Sequence, residues 1–325
     1  MGTVAAVGKI YKGGEPIAEV VRSGFVEGLH RGSVVVLDAD GGVVAALGDV
    51  ESPMFPRSAN KPLQAIGMLR AGLRLVDPAD LALVCASHYG EDFHLARVAA
   101  LLRTAGLDES YLRCPPELPL GTAAAAAVLR AGGGPTRLQM NCSGKHAGML
   151  VTCVAAGFPV EEYYRPDHPL QERITDAVEE FAGEPSASVG IDGCGAPVLA
   201  MSLTALARSY LRLVTGEPRS LEETVASAMR AHPAMVSGTD TFDTRLMRGV
   251  PGLLAKGGAE GVLGVAITGV GAVAIKIDDG AQRAREPAVI SALRRLDVDA
   301  PVLDELAEVP LLGGGQRVGA VRAVW

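Results

Sequence analysis

The chain reads as strands at both ends with a long helical region between them, and this limits the folds available to it. Residue preferences predict strands within residues 17–50, and again at 262–267, 272–278 and 316–324. Helical periodicity dominates from Pro62 onward. We therefore expect an α/β (α+β) fold, in which the two ends of the chain meet in one antiparallel sheet. Helices would pack on that sheet, and the helical middle would form an inserted lobe.

The length and composition are those of a globular protein. With 325 residues, 48% apolar and 21% charged, the chain can bury a large core, which excludes disordered and fibrous classes. We expect a single domain over residues 1–325. Its sheet lobe would span approximately 1–56 and 250–325, and its helical lobe approximately 57–249. The individual helices are expected at 95–102, 123–129, 170–181, 198–213 and 221–231.

Charge and hydropathy limit the classes of partner that the chain is expected to bind. A formal charge of -7 and 4% aromatic residues disfavour nucleic acid and favour a small or neutral ligand. The longest apolar stretch, residues 263–275, is shorter than the roughly 20 residues that cross a bilayer, so we expect no membrane partner. The N-terminus shows no secretory signal, which predicts a cytoplasmic protein. Five cysteines, an odd number, do not indicate a disulfide framework and should be reduced there.

The basic residues are unevenly divided, with 24 arginines and only 6 lysines. Genome composition can explain such a bias. A guanidinium, however, cannot act as a proton acceptor, so a chain rich in arginine still needs lysine wherever an amine must lose its proton. The positions of the few lysines are therefore informative.

The segment Arg57-Ser58-Ala59-Asn60-Lys61-Pro62 contains the first candidate nucleophile. Because proline is tolerated only in the first turn of a helix, this helix cannot begin much before Ala59. Ser58 would then lie at or beside the N-cap, with Lys61 one turn on. This arrangement suits a serine whose proton is removed by a neutral lysine, although a serine N-cap is also a common structural feature.

Two more segments fit the same chemistry. Ser87 ends an apolar run, and Lys256 precedes two glycines that would allow close approach of a substrate. An ordinary helix cap and an ordinary loop lysine are the alternatives. Together with the Ser58 segment, they match the order Ser-x-x-Lys, Ser-x-polar, Lys-x-Gly of penicillin-binding proteins and class A β-lactamases.

A possible metal site lies in two polar, glycine-rich segments. Cys142 and Cys194 could hold zinc with an open water position, with His146 or Lys145 as a third ligand. Spacing alone favours His146, because an amine must first be deprotonated. Buried cysteines that act only as small apolar residues are the alternative.

Taken together, several segments resemble the Rhizobium-type L-asparaginases, the asparaginase II family. They are Arg22-Ser23-Gly24 to Arg31, Arg57 to Pro62, Cys85-Ala86-Ser87-His88, Asn141 to Leu150, Asp167-His168-Pro169 and Asp192-Gly193-Cys194. The resemblance implies a fold similar to serine β-lactamases and glutaminases, a homodimer, and hydrolysis of L-asparagine to aspartate and ammonia.

The resemblance also implies roles for individual residues. Ser58 with Lys61 and Ser87 with Lys256 would be two Ser-Lys pairs. Ser58 would attack the side-chain amide, although either serine is a possible nucleophile. Cys142, Lys145 and Cys194 would hold zinc with a water, which replaces the spacing-based choice of His146. The predicted substrate contacts are Arg57, Asp192, which would bind the α-amino group, and His146.

One position departs from the family pattern, and several other functions stay open. Asp243 stands where relatives carry a further cysteine, which puts the substrate preference in question. A glutaminase or another Ser-Lys amidohydrolase would use the same residues. A non-catalytic protein that binds zinc or amino acids is a second alternative. A zinc peptidase is disfavoured because the chain lacks a His-Glu-x-x-His helix.

Overall fold

The computed structural model describes residues 10–325, so residues 1–9, on which the prediction about a secretory signal partly rests, lie outside it. The strands are β1 (Glu15–Arg22), β2 (Phe25–Asp38), β3 (Val43–Leu47), β4 (Val189–Ile191), β5 (Pro197–Leu199), β6 (Leu253–Gly257), β7 (Val262–Ile267), β8 (Gly271–Ile277), β9 (Glu308–Gly313) and β10 (Gln316–Ala323).

Eight of these strands form one antiparallel sheet. Its order is β6-β7-β8-β2-β1-β10-β9, with β3 paired to β2. The first and last strands are neighbours, because Val20 of β1 pairs with Val321 of β10. The prediction that both ends of the chain contribute to one antiparallel sheet is therefore confirmed. The likeness to serine β-lactamases and the division into lobes at residues 57 and 250 stay predictions.

Helices occupy the middle of the chain and part of its C-terminal region. They are α1 (Lys61–Arg70), α2 (Pro78–Val84), α3 (Asp92–Thr104), α4 (Thr122–Arg130), α5 (Ser143–Ala156), α6 (Pro169–Ala182), α7 (Leu203–Val214), α8 (Leu221–Ala231), α9 (Pro233–Val236), α10 (Phe242–Gly249), α11 (Gln282–Arg294) and α12 (Pro301–Leu306). Across the described part of the chain, no helix combines the length and the hydropathy that a membrane span needs.

One predicted helix begins too early. Residues 198–213 were expected to be a single helix, but Val198 and Leu199 belong to β5, which pairs with β4. The helix α7 begins only at Leu203, where the Ser202 side chain accepts a hydrogen bond from the Ala205 N–H. Strand pairing across the chain has overridden the local helical pattern here.

Helix packing buries the centre of the sheet. Every residue of β7 is buried, and because side chains alternate between faces, both faces are covered there. Helix α7 packs against β7 and β8, and α11 packs against β8 and β10. Gly264 in β7 makes one of these contacts possible, since a Cβ at this position would lie 2.4 Å from the ring of Tyr210 in α7.

Candidate active site

Ser87 lies between two lysine amines that come from distant parts of the chain. Its Oγ accepts hydrogen bonds from Lys61 Nζ at 3.0 Å and from Lys256 Nζ at 3.1 Å. Lys61 is the first residue of α1, Lys256 is in β6, and Ser87 follows α2. Both lysines are only 1% exposed, so the two amines and the hydroxyl meet where water has little access.

The predicted pairing of Ser58 with Lys61 is not the one that the structure shows. Lys61 Nζ instead donates to the carbonyl of Ala86, to Ser87 Oγ and, at 3.1 Å, to Cys142 Sγ. Ser58 does not cap α1 either, because the N-cap is Asn60 and Ser58 lies in a separate 3-10 turn, Arg57–Asn60. The buried side chain of Lys61 therefore points to the segment after α2. The predicted contact of Ser87 with Lys256 is present.

The environment of Lys256 makes it a good proton acceptor near neutral pH. Burial of the amine, together with the positive charge of Lys61, lowers the pKa of Lys256 to about 7. An amine with this pKa is about half deprotonated at neutral pH, and its Nζ is in hydrogen-bond contact with Ser87 Oγ. The pair has the geometry and the proton affinity that activation of a serine requires.

Backbone hydrogen bonds fix the position of Ser87. The Ser87 N–H donates to the Val236 carbonyl at 3.0 Å, the His88 N–H to the Asn141 carbonyl at 3.0 Å, and the Tyr89 N–H to the Ser237 carbonyl at 2.7 Å. The segment is thus bonded to two other segments of the chain. Such support limits the motion of the serine relative to the lysines.

Tyr210 connects the 3-10 turn to the sheet. Its hydroxyl donates to the Ala59 carbonyl at 2.7 Å, and its ring lies against Gly264. Arg57, at the start of the turn, has a φ of 51°, a left-handed conformation that is unusual outside glycine. The Arg57 guanidinium is bonded to Asp192, with Nε 2.7 Å from Oδ1. These contacts hold Ser58 at the edge of the same site.

A cavity of about 230 Å³ adjoins the serines and Lys256. It is large enough for a small amino acid amide, and its wall is rich in polar side chains. The lining residues are Ser58, Ser87, Tyr89, Leu120, Asn141, Ser237, Thr241, Phe242, Asp243, Lys256, Gly257, Gly258, Ala259, Gln282 and Arg285. No pattern in the sequence singles out Tyr89, Gln282 or Arg285. Tyr89 does lie two residues after Ser87, and α11, which carries the other two, was not predicted.

The three predicted substrate contacts, Arg57, Asp192 and His146, do not line this cavity. Arg57 and Asp192 are bonded to each other, and Asp192 Oδ1 also accepts the Gly193 N–H. His146 is fully buried in α5, where Nδ1 contacts the Tyr163 hydroxyl at 2.6 Å. Arg57 is within one residue of Ser58, so its role at the edge of the site stays a prediction.

The two cysteines and Lys145 of the predicted metal site do come together. Lys145 Nζ lies 3.2 Å from Cys194 Sγ, and all three side chains are buried. The nearby Cys142 thiol and the charge of Lys145 lower the pKa of Cys194, while the proximity of Cys194 raises the pKa of Cys142. Lys61 joins this cluster to the serine site through its contact with Cys142 Sγ.

This cluster has the donor chemistry that zinc requires. Two cysteine thiolates and a histidine nitrogen are a common zinc ligand set, and a lysine amine could replace the imidazole only in its neutral form. Within residues 10–325, no group of three or more His, Cys, Asp or Glu side chains is arranged to hold a metal, so the third ligand here would be the Lys145 amine. His146 Nε2 is buried with no hydrogen-bond partner among the described residues, and the imidazole is near enough to lower the pKa of Cys194. The two sulfur atoms suit the metal. Burial of the Lys145 amine is outweighed by the charges of Cys194 and Cys142, which raise the pKa of Lys145, so its amine would have to lose a proton on binding zinc.

Asp243 supports the loop that follows Lys256. Its Oδ2 accepts the Gly257 N–H at 2.7 Å, and its Oδ1 lies 3.8 Å from Arg285 Nη2. The position that departs from the family pattern is therefore on the cavity wall, next to one of the two lysines.

Comparison with known proteins agrees with the sequence motifs. A family model described as L-asparaginase II matches residues 18–323 of the chain. No curated protein matches it significantly.

Among solved structures, the chain is similar to a protein called Mglu. The native form of Mglu has 14% identity and a TM-score of 0.43, covering 81% of this chain and 63% of the Mglu chain. The tris and glutamate form has 15% identity and a TM-score of 0.42, covering 87% and 64%. In both comparisons the chain spans less than two thirds of the length of Mglu.

Proposed function

The chain belongs to the L-asparaginase II family, and from that premise we propose that it hydrolyses the side-chain amide of L-asparagine with Ser87 as nucleophile. The observation that carries this proposal is the position of Ser87 Oγ, between the amines of Lys61 and Lys256 and on the wall of a small polar cavity. The proposal specifies the substrate and the nucleophile of this amidohydrolase: the products are aspartate and ammonia, and the attacking atom is Ser87 Oγ.

In the first half of the reaction, neutral Lys256 removes the proton of the Ser87 hydroxyl. The oxygen attacks the amide carbon, and a C–O bond forms. The resulting Lys256 ammonium gives its proton to the amide nitrogen, and the C–N bond breaks to release ammonia. An ester between Ser87 and the substrate is left. Proton transfer over the 3.1 Å contact needs no rearrangement of the protein.

In the second half, Lys256 is neutral again and removes a proton from water. The hydroxide attacks the ester carbon, the bond to Ser87 Oγ breaks, and the Lys256 ammonium returns a proton to the serine oxygen. Lys61 donates a hydrogen bond to Ser87 Oγ throughout, which favours the alkoxide. We assign Ser58 to contact with the substrate or its oxyanion, because it lines the same cavity while the hydrogen bonds of Lys61 Nζ go to Ala86, Ser87 and Cys142.

Ammonia release from amides tests this proposal directly. With purified protein, we expect multiple turnovers with L-asparagine and a lower kcat/KM with L-glutamine, whose chain is one methylene longer. A coupled ammonia assay compares the two amides, and a chromogenic β-lactam tests for the hydrolase activity of another Ser-Lys enzyme. Preference for glutamine would indicate a glutaminase, and turnover of neither amide would favour the non-catalytic alternative.

We also propose that Cys142, Cys194 and Lys145 hold a zinc ion with a water as fourth ligand. When bound, zinc would supply positive charge that orients a polar substrate or shapes the pocket, since the serine and its lysines already provide a nucleophile. Cys142 would link the two sites, because its Sγ contacts Lys61 Nζ. The homodimer and the cytoplasmic location implied by the family resemblance stay predictions.

Loss of the two cysteines is expected to abolish zinc binding. In Cys142→Ser/Cys194→Ser, zinc measured by mass spectrometry should fall from about one ion per chain to less than about a tenth, because serine is a poor ligand for this metal. Cys153→Ser is the matched control, since Cys153 is also a buried, free cysteine of the same region. Equal zinc content in both variants would exclude this site. Lys145→Met and His146→Ala, compared side by side, identify the nitrogen ligand.

A further inference from the structure

Arg285 is a buried cation with unusually poor hydrogen bonding. It is 5% exposed, and its Nε has no hydrogen-bond partner among the described residues. Its Nη1 lies 3.3 Å from the Val262 carbonyl and 3.5 Å from the Gly258 carbonyl. The Asp243 carboxylate is 3.8 Å from Nη2. Because a guanidinium has five donors and burial removes their water, this group is left without its full set of partners.

The Arg285 guanidinium and Ser87 line the same cavity. Arg285 also packs directly against the backbone of Gly257. A Cβ on Gly257 would lie 2.6 Å from Arg285 Nη1, so the glycine is what allows this approach. The residue before Gly257 is Lys256, whose amine contacts Ser87. A ligand bound in this small cavity therefore has both Ser87 and a cationic group on the cavity wall.

The other arginine near the site is already paired. Arg57 Nε bonds to Asp192 Oδ1 at 2.7 Å, and its Nη1 is 3.6 Å from Glu260. Arg57 is also absent from the cavity wall. Of the two guanidiniums, only that of Arg285 combines a position on the cavity with missing hydrogen-bond partners.

We propose that Arg285 binds the α-carboxylate of the substrate and so determines that the enzyme acts on free amino acid amides. This inference rests on the proposed function and deepens it. A carboxylate would accept hydrogen bonds from the guanidinium and supply the partners that it lacks, and charge-assisted bonds of this kind are the strong ones. The Asp243 carboxylate, 3.8 Å from the guanidinium and on the same cavity wall, would hold it in place and receive the α-ammonium group. Amides without a free carboxylate, such as those inside peptides, would leave the cation unpaired and be rejected.

Binding of two ligands that differ in one group tests this assignment without turnover. L-aspartate and its α-amide share the side-chain carboxylate, but only aspartate has an α-carboxylate. By isothermal titration calorimetry, we expect wild-type protein to bind aspartate about 10- to 100-fold more tightly than the α-amide. In Arg285→Gln this ratio should fall to within about threefold. Arg283→Gln, an exposed position of the same helix, should keep the wild-type ratio.

Each outcome decides the assignment. A ratio that is near one in wild-type protein, or that survives in Arg285→Gln, overturns it, as does loss of the ratio in Arg57→Gln alone. If Arg285→Gln does not fold, Arg285→Lys keeps the charge but cannot form two parallel bonds, and its ratio should fall about tenfold. The ammonia assay is separate. If Arg285 discriminates between the two ligands but no amide is hydrolysed, the proposed function is refuted and the Arg285 assignment stands. If asparagine is hydrolysed but Arg285 does not discriminate, the assignment is refuted and the proposed function stands.

Discussion

Ser87→Ala is expected to lower kcat for ammonia release from L-asparagine by about 10⁴-fold or more, the loss typical when a serine nucleophile is removed. Both Lys61 and Lys256 donate to Ser87 Oγ, so the substitution removes the hydroxyl that the two amines share. The substitution removes one oxygen from a half-buried side chain, so the fold should be kept. Circular dichroism and the melting temperature check that point.

Ser58→Ala is the matched control, and the comparison decides which serine attacks. Ser58 also lines the cavity, but Lys61 is bonded elsewhere. We expect Ser58→Ala to retain activity, reduced by about 10- to 100-fold through the loss of one substrate contact. Mass spectrometry of the acyl-enzyme, trapped at low pH, should locate the ester on Ser87. An inactive Ser58→Ala beside an active Ser87→Ala would return the nucleophile to Ser58, as the sequence motif first indicated.

The second large effect concerns the pH dependence set by Lys256. Because the base must be neutral and its pKa is lowered to about 7, kcat/KM should be constant well above pH 7 and fall about tenfold for each pH unit below it. The sign follows from the amine: lowering the pH protonates Lys256, and the ammonium cannot accept the proton of Ser87. A lysine with its ordinary pKa would move this limb several units higher.

Substitution of Lys256 separates this amine from other ionisable groups. Lys256→Met is expected to lower kcat by about 10²- to 10⁴-fold and to abolish the limb near pH 7, since general base catalysis contributes about that factor. Lys256→Arg should be as inactive, because a guanidinium stays charged. Lys276→Met, a lysine outside the cavity, is the control. An unchanged limb near pH 7 in Lys256→Met would assign it to another group.

Local sequence was sufficient for much of the site. Pro62 correctly indicated that the helix begins no earlier than about Ala59, since α1 begins at Lys61, whereas Ser58 lies in the preceding turn and does not cap it. The three motif residues Ser58, Ser87 and Lys256 all line one cavity. Each lies at or near an end of a helix, turn or strand, where the chain changes direction and side chains can converge. Proline, glycine and polar residues that follow apolar runs mark such ends in a sequence.

Other features depended on contacts that no local pattern contains. Residues 198–199 have helical neighbours but form a strand because β4 is available to pair with them. Lys256 could have been a loop residue, and its place in β6 follows from pairing with β7. Arg285 could not be recognised as a cavity residue, because α11 reaches the cavity only by packing on the sheet.

Residue preferences and spacing along the chain were sufficient to predict the antiparallel sheet formed by both chain ends and a helix that begins no earlier than about Ala59. They also brought forward Ser58, Ser87 and Lys256, which line one cavity. Which lysine contacts which serine depends on tertiary contacts. Lys61 is three residues from Ser58 yet contacts Ser87, 26 positions away, and Lys256 reaches the same oxygen from 169 positions away. The reason is that a buried amine needs partners for its donors. In the folded protein, the Ala86 carbonyl and the Ser87 hydroxyl supply them.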